Sequence, residues 1–284
     1  MIPSIPQSTA FISIYRAYVA LFFIYLGAPL IVVSVFAFND SLFPSLPWNG
    51  FTWDWFFSSS DARLGLFHER AILGSIGTSA LVAVSVTALS VFVGTTNAFL
   101  FERRSFRFKN LLYLLMLMPL VVPGIILGIS ILVASNSLVN WVEDFSGFEI
   151  ELLRPGLFLV VLGQFSFITT IATLVISARL KKFDYSLEEA ALNLGATPWQ
   201  AVRTITLPFL APAMVGAGIV AFLMSFENFN TTLMLVGSDA PLTIAMFDRL
   251  KEGSTPVLNA VSLLLMVASA VLAMISIALQ RDKT

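Results

Sequence analysis

The sequence contains no cysteine and a single histidine, His68, among its 284 residues. Without thiols it cannot form disulfides, thiolate zinc sites or a cysteine nucleophile. Charged residues make up only 12% of the chain and the formal net charge is -1. Because nucleic-acid-binding proteins usually carry a basic face, this balance argues against that class. The sequence also lacks the G-x-x-x-x-G-K-[ST] phosphate loop, which excludes a P-loop ATPase site within it.

Apolar residues dominate what is present. They make up 57% of the chain, and the mean hydropathy is +0.89, which is typical of a polytopic membrane protein. A transmembrane helix needs about 20 predominantly apolar residues. Runs of this kind predict an all-α polytopic membrane protein with six transmembrane helices: Ala17–Phe38, Ala71–Phe101, Asn110–Ala134, Pro155–Ala178, Pro208–Val236 and Val257–Leu279.

The placement of lysine and arginine predicts the orientation of these helices. Counted over alternate segments, eleven of these residues fall on one side and five on the other. The richer side holds both chain termini and the loop between the fourth and fifth helices, and it is predicted to be cytoplasmic. On this basis residues 1–70 form an N-terminal transmembrane helix and a periplasmic loop, and residues 71–284 form a core of five helices.

The loop between the fourth and fifth helices is unusually polar, with the sequence SLEEAALNLGATPWQAVRTITLP at residues 186–208. A charged residue at the bilayer centre costs about 2.5–3.5 kcal/mol, so this segment is predicted to lie in water or against protein. Ser186 followed by Glu189 predicts a capping box at the start of a helix that runs through Leu194. Gly195 is predicted to be its left-handed C-cap.

A second short helix is predicted directly after this one. Thr197 and Pro198 have the residue types of an N-cap and a first helical residue, and the helix is expected to reach about Ile205 before Pro208 marks the entry to the next span. Isolated helices below about 12–15 residues are marginal in water. Either a partner protein packs against the two helices, or they form an amphipathic hairpin at the membrane interface.

The spacing Glu189-Ala190-Ala191, three residues, Gly195, nine residues and Ile205-x-Leu207-Pro208 resembles the EAA loop of a known family. That family comprises the inner-membrane permease subunits of binding-protein-dependent ABC importers. The resemblance spans roughly residues 71 to 280, and LGSIGTSALVAV, MPLVVPGIILGIS and KEGSTPVLNAVSLLL are similar to its spermidine/putrescine-type branch. It implies that the EAA loop, residues 184–208, couples to a separate ATPase through Glu188, Glu189, Ala190, Ala191 and Gly195.

The resemblance also implies a set of partners. These are ATP-binding subunits that carry ATP and Mg, a second and non-identical permease subunit, and a periplasmic solute-binding protein. The chain itself is then a transport subunit of the bacterial inner membrane, not an enzyme, and holds no cofactor. Its solute would be small and polar, such as a polyamine, an opine or a related amine or amino-acid derivative, moved by alternating access.

A second polar segment, SFENFNTT at residues 225–232, interrupts the fifth predicted span. Glu227 is the one acid inside a predicted span, and an intramembrane ionisable residue is a functional candidate. Together with Asn228, Asn230 and Thr231 it is predicted to line a substrate path, with Glu227, Asn230 and Thr231 on one helical face. If the span instead ends near Met224, Glu227 is interfacial. The spermidine/putrescine-type branch often has an acidic pair here, whereas this sequence has Glu227 followed by Asn228.

Two features of the third predicted span concern its packing. Pro119 and Pro123 are expected to kink it, and Gly124-x-x-x-Gly128 is expected to let another helix approach closely.

Two other functional classes remain as alternatives. A secondary transporter should show internal repeats and several intramembrane carboxylates, and an integral-membrane enzyme should show clustered Asp, His or Ser residues at the membrane surface.

Overall fold

The computed structural model describes residues 8–44, 46–60, 63–148, 150–253 and 255–281, and the side chains of the last helix as far as residue 275. The helices in these ranges are α1 (Thr9–Phe36), α2 (Asp54–Phe57), α3 (Arg70–Arg103), α4 (Lys109–Val121), α5 (Gly124–Ser146), α6 (Leu157–Leu180), α7 (Ser186–Asn193), α8 (Pro198–Ala201), α9 (Leu207–Phe226), α10 (Thr232–Leu235), α11 (Leu242–Glu252) and α12 (Val257–Arg281). Strands β1 (Ser59–Ser60) and β2 (Arg63–Leu64) pair antiparallel. The chain termini, whose side of the membrane was predicted, lie outside the described residues.

Among the described residues, six helices are long and apolar enough to span a membrane. This confirms the predicted all-α fold with six transmembrane helices. Their bounds in the structure are Thr9–Phe36, Arg70–Arg103, Gly124–Ser146, Leu157–Leu180, Pro198–Phe226 and Val257–Ile275.

The predicted third span, Asn110–Ala134, is wrong in its bounds. The structure divides it into the short α4 and the longer α5, with a break at Val122 and Pro123. Val122 is extended at ψ 131°, as expected for a residue that precedes proline. Pro123 has no N–H to continue the hydrogen bonds of α4, so the chain restarts at Gly124 instead of bending within one helix.

The described chain divides into two compact units. The first comprises the residues up to Arg70 together with Arg249–Val267. Its small core lies beneath the loop after α1, where Trp55 is buried and donates from Nε1 to the carbonyl oxygen of Asn39 at 2.8 Å. Arg249 forms an ion pair with the buried Glu69 in the same unit.

The second unit comprises Ala71–Asp248 and the residues from Ala268 onward. Its centre is α6, which packs along α9 and also contacts α4 and α10. Small residues allow this close packing. A Cβ added to Gly94 of α3 would come within 2.9 Å of the Cβ of Ala172 on α6, so the two helices meet without an intervening side chain. The residues with candidate functions all lie in this second unit.

Candidate functional site

The EAA loop begins with a cap from Asp184. Helix α7 starts at Ser186, with Tyr185 as its N-cap residue. The Oδ1 atom of Asp184 accepts a hydrogen bond of 3.0 Å from the N–H of Ser186. Hydrogen bonds from the side chain and the backbone of Ser186 lower the pKa of Asp184 below its ordinary value. The predicted capping box of Ser186 with Glu189 is therefore wrong, because an acid two residues earlier binds a free N–H of the first turn.

The end of α7 agrees with the sequence. Gly195 has a φ of +93°, in the left-handed region that favours glycine. The N–H of Gly195 donates to the carbonyl of Leu192 at 3.0 Å, and the N–H of Ala196 donates to the carbonyl of Ala191 at 3.0 Å. This pair of bonds is the Schellman motif. The predicted C-cap at Gly195 is confirmed, and it sets the angle at which α7 meets the next helix.

The second predicted helix starts as expected but does not end at Ile205. Thr197 and Gln200 form a reciprocal capping box, with Pro198 at the first helical position. The helix then continues without interruption to Phe226 through a π-helical segment, Val202–Thr206. Pro208 lacks the N–H that would continue an α-helical ladder, and the wider π turn lies directly before it. The loop therefore consists of one short helix and the first turns of a transmembrane helix.

The outer surface of α7 is open. Within α7, all of which the structure describes, no residue is buried. Glu189 and Ala190 are exposed and Ala191 is half-buried. Leu194, at the end of the helix, is 89% exposed. An exposed acid beside apolar side chains is a surface that another protein could cover.

Glu188 lies apart from this open surface because it is held by Arg103, the last residue of α3. Arg103 donates from Nη2 to Oε1 at 2.7 Å and from Nη1 to Oε2 at 3.0 Å. The hydroxyl of Thr206, in the π-helical segment, also donates to Glu188. Burial by itself raises the pKa of Glu188, but the hydrogen bonds from Arg103 and Thr206 and the charge of Arg103 outweigh it and lower the pKa.

A second group of candidate residues lies where two helices are interrupted. The break between α4 and α5 lies against the break between α9 and α10, since a Cβ on Gly124 would come within 3.1 Å of the Cβ of Asn230. A Cβ on Gly128 would come within 3.0 Å of both the Thr231 carbonyl and the Met234 Cβ. The expected close approach at Gly124 and Gly128 is confirmed. Non-helical backbone within a membrane occurs where it is buried in protein or lines a water-filled cavity.

Side chains satisfy the backbone groups that the second break leaves free. The Asn228 Oδ1 accepts from the N–H of Thr232 at 3.3 Å and from its hydroxyl at 3.0 Å. The hydroxyl of Thr243 donates to the carbonyl of Asn228 at 3.0 Å. Gln164, buried in α6, donates to Thr232 at 2.8 Å and accepts from Ser225. Hydrogen bonds from α6 and α11, together with the bonds of Asn228 within the segment, therefore fix the conformation of residues 225–232.

The predicted helical face of Glu227, Asn230 and Thr231 is wrong, because α9 ends at Phe226. Glu227 is its C-cap residue and is exposed, and it accepts a bond of 3.3 Å from Ser269. The span thus ends two residues after Met224, where the alternative placed its end, and whether Glu227 is interfacial stays a prediction. Asn230 is also exposed. Thr231 is fully buried and its hydroxyl donates to the carbonyl of Gly124 at 3.3 Å. Only Glu227 and Asn230 of the four candidate residues therefore present exposed side chains.

One transmembrane helix separates the two groups of candidate residues. The helix Pro198–Phe226 has 29 residues, which at about 1.5 Å per residue places its ends roughly 40 Å apart. Helix α7 and the turn at Gly195 precede its first residue, and Glu227 follows its last. The structure therefore joins the two groups through a single helix and does not bring them together.

Sequence reasoning does not single out Arg103 or Gln164. Arg103 counts only toward the charge bias of its loop, and its contact with Glu188 spans 85 positions of sequence. Gln164 could have been noticed, because a lone amide inside an apolar span usually bonds to another helix. In the described part of the chain, no group of three or more His, Cys, Asp or Glu side chains is placed to hold a metal ion.

Comparison with known proteins gives consistent matches. The family described as binding-protein-dependent transport system inner membrane component matches residues 90–281. The putrescine transport system permease protein PotI of Escherichia coli is 29% identical over 89% of this chain and 86% of its own length. The spermidine/putrescine permease PotC of the same organism is 27% identical over 92% of this chain and 91% of its own. Its sulfate permease CysT is 30% identical over 68% of this chain and 73% of its own.

Solved structures share the fold. A bacterial ABC transporter that imports the acidic polysaccharide alginate has a chain that matches with a TM-score of 0.69 and 17% identity, covering 97% of this chain and 96% of that one. The methionine transporter MetNI has a chain that matches with a TM-score of 0.52 and 18% identity, covering 76% of this chain and 95% of that one.

Proposed function

This chain belongs to the family of binding-protein-dependent transport system inner membrane components, and from that membership we propose that it forms the membrane path of an ATP-driven importer together with a second, non-identical permease subunit. It is a multi-pass permease subunit of an ABC importer in the bacterial inner membrane, and a transport subunit instead of an enzyme. Importers of this kind work with ATPase subunits and a periplasmic binding protein. Residues 71–284 are the permease core in this proposal, and residues 1–70 add a helix and a periplasmic loop.

Helix α7 is the part of the chain that docks on the ATPase. Its eight residues are fewer than the roughly 12–15 that an isolated helix needs in water, and no packing within the described chain buries it. Glu189, Ala190 and Ala191 form the contact surface, and Gly195 sets its angle. We place this loop on the cytoplasmic side because the charge bias of the sequence predicts it.

The break after α9 is the proposed solute path. Substrate sites of transporters are often formed where membrane helices are discontinuous, and here two such breaks lie side by side. Glu227 and Asn230 provide the exposed carboxylate and amide. Asn228 and Thr231 hold the backbone in place and take part only through it. Alternating access follows if ATP-driven movement of α7 reaches these residues through the helix Pro198–Phe226.

A small cationic or zwitterionic solute fits this path best, such as a polyamine, an opine or a related amino-acid derivative. The relatives PotI and PotC are named for putrescine and spermidine, and Glu227 offers a single carboxylate to an amine. The relative CysT is named for sulfate, so the fold is compatible with solutes of either charge. The choice of a cation therefore depends on Glu227, which is the observation that carries this proposal.

The proposal is tested with the complete importer in liposomes, with the binding protein outside and ATP inside. Uptake of a labelled diamine is measured in competition with an opine, a neutral amino acid and sulfate. Competition by amine-bearing solutes alone supports the proposal, and competition by sulfate alone overturns the assignment of a cationic solute. A chain that transports by itself on an ion gradient would favour the alternative of a secondary transporter.

A further inference from the structure

Arg103 lies at the junction of three elements that are separate in sequence. It ends α3, and it binds Glu188 of α7 through two hydrogen bonds of 2.7 and 3.0 Å. Its Nη2 also lies 3.5 Å from the hydroxyl of Thr206, in the π-helical segment of the helix Pro198–Phe226. Thr206 itself donates to Glu188 and is fully buried. The Glu188 carboxylate thus connects α7 to the end of α3 and to the π-helical segment of the helix Pro198–Phe226.

The position of the Arg103 side chain is fixed by aromatic rings. Its guanidinium carbon lies 4.6 Å from the ring centre of Phe99 and 5.3 Å from that of Tyr185. The rings and the two hydrogen bonds restrict the planar guanidinium, so Arg103 can bind the Glu188 carboxylate only in a narrow range of orientations. The side chains of Arg103 and Glu188 are only 18% and 15% exposed, so water and salt screen the pair less than a surface pair. Although Arg103 belongs to a basic loop, its guanidinium is bound to Glu188 and is not available to bind lipid headgroups.

A neighbouring ion pair, between Lys181 and Glu102, differs from the Arg103–Glu188 pair in its exposure and in the helices that it joins. Lys181, just after α6, lies 3.5 Å from Glu102 of α3, and its side chain is 64% exposed. That pair joins two transmembrane helices and does not include α7. An exposed lysine pair contributes little to stability. Lys181 is therefore a matched control, since its partner is the residue next to Arg103.

We propose that the Arg103–Glu188–Thr206 cluster is the connection through which displacement of α7 moves α3 and the helix Pro198–Phe226. Glu188 is then a positioning residue inside the permease, and the exposed Glu189 is left for the ATPase. This inference rests on the proposed function, since it assumes that α7 docks on an ATPase. The covalent route from α7 to Pro198 passes through the turn at Gly195, whereas the cluster reaches α3 and the π-helical segment directly.

The test uses the complete importer with Glu188→Gln, Arg103→Glu, Glu188→Arg and the double exchange of the two charges, with Lys181→Ala as control. The measured quantities are solute transported per ATP hydrolysed, retention of the ATPase on the tagged permease, and the thermal midpoint of the purified complex. We expect the three single variants at Arg103 and Glu188 to retain the ATPase but to lower the amount of solute transported per ATP about tenfold, within the usual range for coupling between sites. The Lys181→Ala control should keep the wild-type ratio. The double exchange should restore most of it.

The outcomes separate this inference from the proposed function. If the wild-type chain retains no ATPase, the proposed function fails. If the wild-type importer works and Glu188→Gln keeps the full transport ratio, the inference alone is overturned. A loss of ATPase retention in Glu188→Gln would also overturn it, because Glu188 would then belong to the docking surface. A lower thermal midpoint with an unchanged ratio would show a role in stability alone and would contradict the inference.

Discussion

Gln164 donates a hydrogen bond of 2.8 Å from Nε2 to the hydroxyl of Thr232, across 68 positions of sequence and between α6 and α10. Its Oε1 accepts from Ser225, in the last turn of α9. One buried amide therefore holds both sides of the break after Phe226. The non-helical residues between them keep their conformation because side chains from other helices satisfy them, and this requirement leads to the first prediction.

Replacing Gln164 by leucine should destabilise the break between α9 and α10 through lost hydrogen bonds, because the two side chains are similar in size. The substitution leaves the hydroxyls of Ser225 and Thr232 without a partner that reaches both sides of the break. Interhelical hydrogen bonds in membranes contribute about 0.6–1.7 kcal/mol each, so Gln164→Leu should lower the free energy of unfolding by about 1–3 kcal/mol and reduce uptake. Thermal unfolding in detergent and uptake in liposomes measure the two effects. Ser166→Ala is the matched control, because its hydroxyl bonds to Gly163 within the same helix; equal effects of the two variants would contradict the prediction.

Enlarging Gly128 should separate α5 from α10. A Cβ there meets the Thr231 carbonyl and the Met234 Cβ at 3.0 Å, and neither is the flexible end of a side chain. Gly128→Val should therefore cost about 1–3 kcal/mol through overpacking, seen as a lower thermal midpoint, together with a loss of uptake. Gly77→Val is the control, since a Cβ at Gly77 meets no described atom within 4 Å. A Gly128 variant as stable and active as the Gly77 variant would show that close approach is not required.

Features that depend on neighbouring residues follow from the sequence more often than features that depend on distant ones. Gly195 and Thr197 were predicted correctly because caps depend on residues within a few positions. The end of α9 at Phe226 could not be read from the sequence, since it depends on Gln164 and on packing against Gly124. The break before Gly124 is only partly predictable from the sequence. Pro123 indicates that the helix is disturbed there, but it does not distinguish a kinked helix from two separate helices. The role of Ser186 was misjudged because Asp184 competes for the same N–H.

Gly195→Val should uncouple transport from ATP hydrolysis. A Cβ at Gly195 meets no described atom within 4 Å, so the effect comes from its φ of +93°, which a β-branched residue avoids at a cost of about 1–2 kcal/mol. The turn should then reopen and tilt α7, with less solute moved per ATP. Gly195→Asn is the control, since asparagine tolerates positive φ and should keep most activity. The measurement is uptake per ATP in liposomes, and wild-type coupling in the valine variant would refute the role of this turn.

Charge at the break should determine which solute passes. Glu227→Gln removes the exposed carboxylate, and we expect the KM for a cationic solute to rise about tenfold, equivalent to roughly 1.4 kcal/mol, while ATPase association stays unchanged. Asn228→Asp is the opposite change. Its carboxylate can still accept both bonds from Thr232, now at 3.3 and 3.0 Å, so the backbone should hold while the path gains a second negative charge.

The carboxylate that Asn228→Asp introduces follows Glu227 directly in the sequence and adds a second negative charge to the break, so this variant should favour divalent amines over monovalent ones in competition assays. Ser269→Ala, which removes only a 3.3 Å partner of Glu227, should leave that preference close to wild type. Because the two charge variants act in opposite directions on one property, a general loss of stability cannot imitate the pair of results. Identical solute preferences in both variants and the wild type would place the solute path away from Glu227.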